Sequence, residues 1–368
     1  MKIVLDRKGF VGALSIGGAF AGRNRIVPIL EKVKIKVSNG SLSVISSDGD
    51  NYVNRKMMSG VDADGDASFC VSLHDTMSYV KSLGDDIVEL DVLGGDLVIR
   101  GESGDFKMHC DDGDLFPTRG KETDSARLRI PSNPFVEWVD DARRFVSSDT
   151  LRPVMCGVNV YRQGSEFGVC ATDGISLFTA SVDDAQSGDD FSVTLDQRCL
   201  KTLRDSFLCD DGSLDLMIGK SSVMIKSLDT TLLCALSEGR FPNFKSLLSG
   251  DSGEARAVVP RKSLIDSLRR CQVGSSLGYV SMSLKDGAIL LESVDVDMGK
   301  RVTESVAAQT SGSIDISFKL SSIIDIIDTL GGETVSLSME CESKPCFFRE
   351  DPCVCDKIAM LMPVRIER

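Results

Sequence analysis

The chain has 368 residues, 42% of them hydrophobic, and a formal net charge of −13 at pH 7, enough apolar material for several cores of ordinary domain size. No run of eighteen apolar residues occurs, and Asp6 interrupts the opening stretch too early for a signal peptide, so the expectation is a soluble, cytoplasmic protein with no membrane partner. Twelve cysteines without a secretory signal read as reduced thiols, and in so acidic a chain any attraction to nucleic acid depends on where the positive charges lie.

Residues 9–22 form a glycine-rich first helix, weak by propensity. Alternating β-branched runs at 33–37 and 42–45 follow as hairpin strands. Ser72 caps a second helix with Leu73, Met77, Val80 and Leu83 on one face. Asp114-Leu115-Phe116-Pro117 ends this run, because proline cannot continue a strand ladder. The pattern then restarts. A helix over 132–148 carries Phe135, Trp138, Val139, Ala142 and Val146, strands lie at 157–161 and 167–171, Thr194 caps a helix over 195–203, and Phe241-Pro242 is the stop. A third pass runs from a helix over 261–271, through strands at 279–284 and 288–294 and a helix over 320–330, to Leu361-Met362-Pro363-Val364.

The restart has a fixed offset. Leu5 and Ile130, Phe10 and Phe135, Pro28 and Pro153, Asp48 and Asp173, and Pro117 and Pro242 all stand 125 residues apart, and Thr194 precedes Lys319 by the same distance. Three homologous α+β domains are therefore expected, at 1–124, 125–253 and 254–368, each with two helices on antiparallel sheets. The polar stretches 118–128 and 249–257 read as linkers.

Catalytic patterns find no support. Gly17–Asn24 lacks the Lys and Ser/Thr of a phosphate loop, and the acidic turn at 62–66 lacks the bidentate Glu of a calcium loop. His74 and His109 have no nucleophile or metal-ligand neighbour in sequence. Cys341, Cys346, Cys353 and Cys355 are not spaced as a zinc site. No metal, cofactor or enzymatic activity is expected. Charge is distributed unevenly: the six predicted helices carry +1, 0, −1, +1, +3 and −1, a total of +3 against −13 for the chain. Arg198, Lys201 and Arg204 recur every three residues along one of them, so the acid lies on strands and loops.

Several local motifs together resemble one family. Ala171-Thr172-Asp173-Gly174, Arg152-Pro153-Val154, Glu238-Gly239-Arg240-Phe241-Pro242-Asn243 and the terminal Met362-Pro363-Val364-Arg365-Ile366 are similar to the bacterial sliding clamp, the beta subunit of DNA polymerase III. The resemblance implies a ring formed by a head-to-tail homodimer of three-domain subunits, with helices lining a central hole. It implies no catalysis, and it implies as partners double-stranded DNA held without regard to sequence, the polymerase III alpha subunit, the clamp loader, and other clamp-binding repair and replication proteins.

Carried onto matching positions, the family's peptide pocket takes Arg152, Met155, Thr172, Gly174, Ile175, Leu177, Pro242, Leu247, Met360, Met362, Pro363, Val364 and Arg365. Ile175-Ser176 stands where the family often has His-Arg. The subunit contact falls at Phe106, Met108, Gln272 and Val273, and the DNA contact at Arg23, Arg25, Arg198, Lys201 and Arg204. Spacing agrees with a dimer: six helices packed roughly 10 Å apart close a circle only about 19 Å wide, whereas twelve leave a hole of about 38 Å. The competing reading is a repeat-built peptide scaffold that never encircles DNA.

Overall fold

The computed structural model describes residues 1–22, 26–101, 104–117, 126–183, 188–208, 212–249, 253–351 and 356–365. Arg23, Arg25, Cys353 and Cys355 lie outside them, as does most of the predicted linker at 118–128. Seven α-helices occur among the described residues: α1 (Arg7–Gly17), α2 (Leu73–Ser82), α3 (Ser132–Ala142), α4 (Gln197–Phe207), the single turn α5 (Lys245–Leu248), α6 (Arg261–Cys271) and α7 (Leu320–Thr329). The order strand, helix, strands, helix, strands is traversed three times.

By contacts the chain forms two compact units, one of residues 1–137 with 195–236, the other of residues 138–194 with 237–368. The first holds a nine-stranded sheet in the order Asp111–Asp112, Ala67–Ser72, Lys32–Ser38, Ser41–Ser47, Tyr52–Met57, Thr230–Ala235, Ser222–Lys226, Ser213–Ile218, Ala126–Pro131. A five-stranded sheet ends at Gly104–His109. Alternation decides which face is buried: Val33, Ile35 and Val37 turn inward against Phe10, Ala13 and Leu14 of α1, while Lys32, Lys34 and Lys36 face the other way.

The second unit repeats the arrangement. Its nine-stranded sheet runs Phe191–Leu195, Val158–Gln163, Glu166–Thr172, Ser176–Asp183, Asp356–Leu361, Cys346–Asp351, Thr334–Met339, Ala255–Pro260, Gln309–Ser311. A four-stranded sheet begins at Lys300–Ala307. Each nine-stranded sheet thus joins strands from two successive passes of the sequence pattern, through the ladders Thr230↔Arg55 to Leu233↔Tyr52 and Ser176↔Leu361 to Ser181↔Asp356.

Three helix expectations are corrected. The first helix starts two residues early, because the Asp6 carboxylate accepts the Gly9 N–H at 2.6 Å, and ends at Gly17. Gly17 is a packing residue, since a Cβ there would stand 2.5 Å from the Val44 carbonyl oxygen. The helix expected over 132–148 ends at Ala142, passes through a 3-10 turn at Arg143–Phe145, and is extended at Val146. Asp196, not Thr194, caps α4, accepting the Arg198 N–H at 2.7 Å. Ser72 caps α2 as expected, accepting the Asp75 N–H.

Candidate functional site

Every residue expected to form a peptide pocket falls in the second unit. The floor is a row of side chains across its nine-stranded sheet. Antiparallel register places Thr172 opposite Leu177, Leu177 opposite Met360, and Met360 opposite Phe347, so all four point to one face. Leu177, Met360 and Phe347 are buried in one cluster with Tyr161, Cys170, Ile358, Phe241 and Phe244. Phe241 and Phe244 come from the Gly239–Leu248 loop, where Gly239 turns the chain at φ +114° and Phe244 tilts against Tyr161 at 5.3 Å. The loop is anchored by Lys245, whose ammonium reaches Glu166 at 2.5 Å, and Tyr161 donates to the same carboxylate at 2.6 Å. Partial burial opposes ionisation of Glu166, but these two hydrogen bonds prevail and hold its carboxyl below the ordinary range.

The rim is equally constrained. Asp173 Oδ1 accepts the N–H groups of Ile175 (2.8 Å) and Ser176 (2.6 Å), and the Thr172 hydroxyl donates to the Ser176 carbonyl while accepting the Gly174 N–H. Gly174 sits at φ +93° against Met155 and Arg152. This turn leaves Ile175 58% exposed. Arg152 grips Asp149 at 2.9 Å, which with the Leu151 N–H holds that carboxyl below its ordinary value. The final residues are tied by backbone: Met362 N–H donates to Ile175 O (2.9 Å) and Val364 N–H to Ser317 O (2.8 Å). Met362, Pro363 and Val364 are half-buried, and Arg365, Pro242 and Leu247 are exposed. Of the two methionines near the end of the chain, Met360 is buried in the core and Met362 is not. Two neighbours were not among the expected pocket residues: Leu151, 90% exposed beside Arg152, and Val154, which belongs to the Arg152-Pro153-Val154 motif and packs on the cluster.

Residues 129–243 match the description "DNA polymerase III beta subunit, central domain", and residues 250–365 match the C-terminal domain of the same subunit. The chain belongs to the bacterial sliding clamp family. It is a DNA sliding clamp, a non-catalytic processivity subunit. Curated relatives include the beta sliding clamps of Rickettsia bellii, 26% identical over the full length of both chains, and Bacillus subtilis, 25% identical over 99% of this chain and all of that one. Among solved structures, the beta subunit of Streptococcus pyogenes superposes with a TM-score of 0.93 at 19% identity, and the B. subtilis clamp with 0.91 at 22%, each matched over the whole of both chains. At those identities the structures speak to the fold, which is that of a clamp.

The other expected clamp sites are found on separate elements. Arg198, Lys201 and Arg204 lie on α4. Arg198 is enclosed by acid: Asp196 at 2.9 Å, Asp50 at 3.0 Å and Asp48 at 3.6 Å, with Asp196 the main cause of its raised pKa. Lys201 is exposed. Phe106 and Met108 are half-buried on the Gly104–His109 edge strand, where Phe106 stacks on Tyr79 at 4.9 Å. Gln272 and Val273 occupy an exposed 3-10 turn after α6. No group of three or more His, Cys, Asp or Glu capable of holding a metal occurs among the described residues, and none of the described helices is long and apolar enough to cross a membrane.

Proposed function

We propose that the chain works in the cytoplasm as a head-to-tail homodimer whose ring encircles duplex DNA, and that the second unit captures short peptides of the polymerase III alpha subunit, the clamp loader and other clamp-binding proteins. The observation that carries the peptide reading is the buried Leu177–Met360–Phe347 row, bordered by the exposed Ile175 and Leu247 and by the segment 362–364, held in place through backbone hydrogen bonds. Such an arrangement offers apolar depth with a pre-organised rim. Half-buried Met362 adds a flexible thioether suited to several partners.

Dimer closure is supported by two open sheet edges, Gly104–His109 and Lys300–Ala307, whose pairing would remove an aggregation hazard. On α4, the exposed Lys201 is better placed to meet phosphates than Arg198, whose charge is offset by three aspartates. Two measurements test the reading. Ile175→Glu with Leu247→Glu, both at exposed positions, is expected to weaken a Leu/Phe-containing polymerase tail peptide by about 2 kcal/mol in calorimetry without altering the melting curve; unchanged affinity would move the pocket elsewhere. Loaded clamp is expected to stay on nicked circular DNA and to slip off once it is linearised. Retention on the linear form would favour a scaffold that does not encircle DNA.

A further inference from the structure

The row that floors the peptide site has a counterpart in the first unit. There Ser47 lies opposite Tyr52, Tyr52 opposite Leu233, Leu233 opposite Met224, and Met224 opposite Met217, which faces Arg127. Ser47 and Tyr52 stand 125 residues before Thr172 and Leu177. The surroundings correspond as well. Leu30, Ile29 and Phe116 pack beside Tyr52 as Val154 and Phe241 pack beside Leu177, and the bordering Ile26 and Leu115 are 90% and 68% exposed. This strip lies on the sheet face opposite α1, and Met217, Met224 and Tyr52 remain half-exposed.

We infer that the Tyr52–Leu233–Met224–Met217 strip is a second docking site, for a short extended peptide with apolar anchors and an acidic flank. The inference rests on the peptide reading of the second unit. Four strands at about 4.8 Å spacing make the strip about 14 Å long, the reach of four or five extended residues. Two side-by-side thioethers adapt to different apolar side chains. Charge selects the flank: Lys226 shares the face two residues beyond Met224, exposed Lys220 sits on the turn joining the two methionine strands, and Arg127 closes the row. The acid within this patch, Asp215, faces Lys226 and is also 3.8 Å from Arg129. In a chain of net charge −13 such a basic border favours an acidic segment over a basic one.

The test is calorimetry of the intact protein with a synthetic peptide carrying a Leu-Phe pair followed by three aspartates. Wild type is expected to bind two peptides per chain, the weaker step being the more salt-sensitive. Met224→Lys should remove the weaker step alone, and Lys226→Glu, which leaves the apolar strip intact, should weaken it roughly tenfold. Ile175→Glu with Leu247→Glu should remove the other step. One peptide per chain, lost with the Ile175 and Leu247 changes and indifferent to Met224→Lys and Lys226→Glu, overturns the second site and leaves the first standing. One peptide lost only with Met224→Lys overturns the first and keeps the second. A change of oligomeric state on Met224→Lys, with peptide stoichiometry unaltered, would assign the strip to a second copy and overturn the inference.

Discussion

The turns at 47–51 and 172–176 are built by the same hydrogen bonds and used differently. In both, an aspartate Oδ1 accepts the N–H groups two and three residues ahead, and the preceding hydroxyl donates to the carbonyl four residues on while accepting the N–H of a glycine at positive φ, +101° for Gly49 and +93° for Gly174. The difference lies in the two residues after the glycine. In the first copy the exposed Asp50 binds Arg198, and the buried Asn51 donates to Asp48 Oδ2 and accepts the Ala235 N–H. In the second copy Ser176 is buried and Ile175 meets no such partner, leaving an apolar side chain in solvent. A repeated backbone device can therefore hold a partly exposed ion cluster in one place and an apolar rim in another, with the side chain after the glycine deciding which.

The comparison breaks most visibly at the aspartates. Asp48→Ala, which orphans Asn51 as well as the turn and loosens Arg198, is expected to cost about 3 kcal/mol in urea unfolding, against about 2 kcal/mol for Asp173→Ala; equal costs would show that the Arg198 cluster adds nothing. Gly49→Ala and Gly174→Ala sharpen it. Each should cost about 1 kcal/mol from backbone strain, because at Gly174 the added methyl would meet Met155 and Arg152 only at 3.7 and 3.8 Å. A much larger loss at Gly174 would mean that the two turns are not equivalent.

The smallest effect is with pH. Glu166, held below its ordinary value of 4.5, contributes stability that is present above that pH and lost as pH falls through the folded value. Glu166→Gln should flatten this acid limb of the urea midpoint. An unchanged acid limb would separate Glu166 from loop anchoring.

Local features were legible because their causes are local. Ser72 as a cap and the alternation at Val33–Ile35–Val37 are written within a few residues, and the echo of Asp48 in Asp173 needs only a fixed offset of 125 residues. Thr194 misled because two capping residues lie two apart, and only the Ala235 carbonyl, bonded to the Asp196 N–H, fixes which one starts α4. The glycine-rich α1 reads as weak until Val44 is seen against Gly17. Leu151 carries no signal of its own, because an exposed leucine in a loop has no periodicity. The same offset, which sets Leu151 against Ile26, was the available signal.

The pairing of Tyr52–Met57 with Thr230–Ala235 has a consequence for synthesis. Arg55 and Thr230 are 175 residues apart, so on the ribosome the first nine-stranded sheet stays half-made, with a bare strand edge, until residue 235 has emerged. The strand Ser176–Asp183 waits similarly until Asp356–Leu361 has emerged. The nascent chain therefore carries its most aggregation-prone surfaces for most of translation. A chain cut short before Asp356 would leave the second sheet open at its centre.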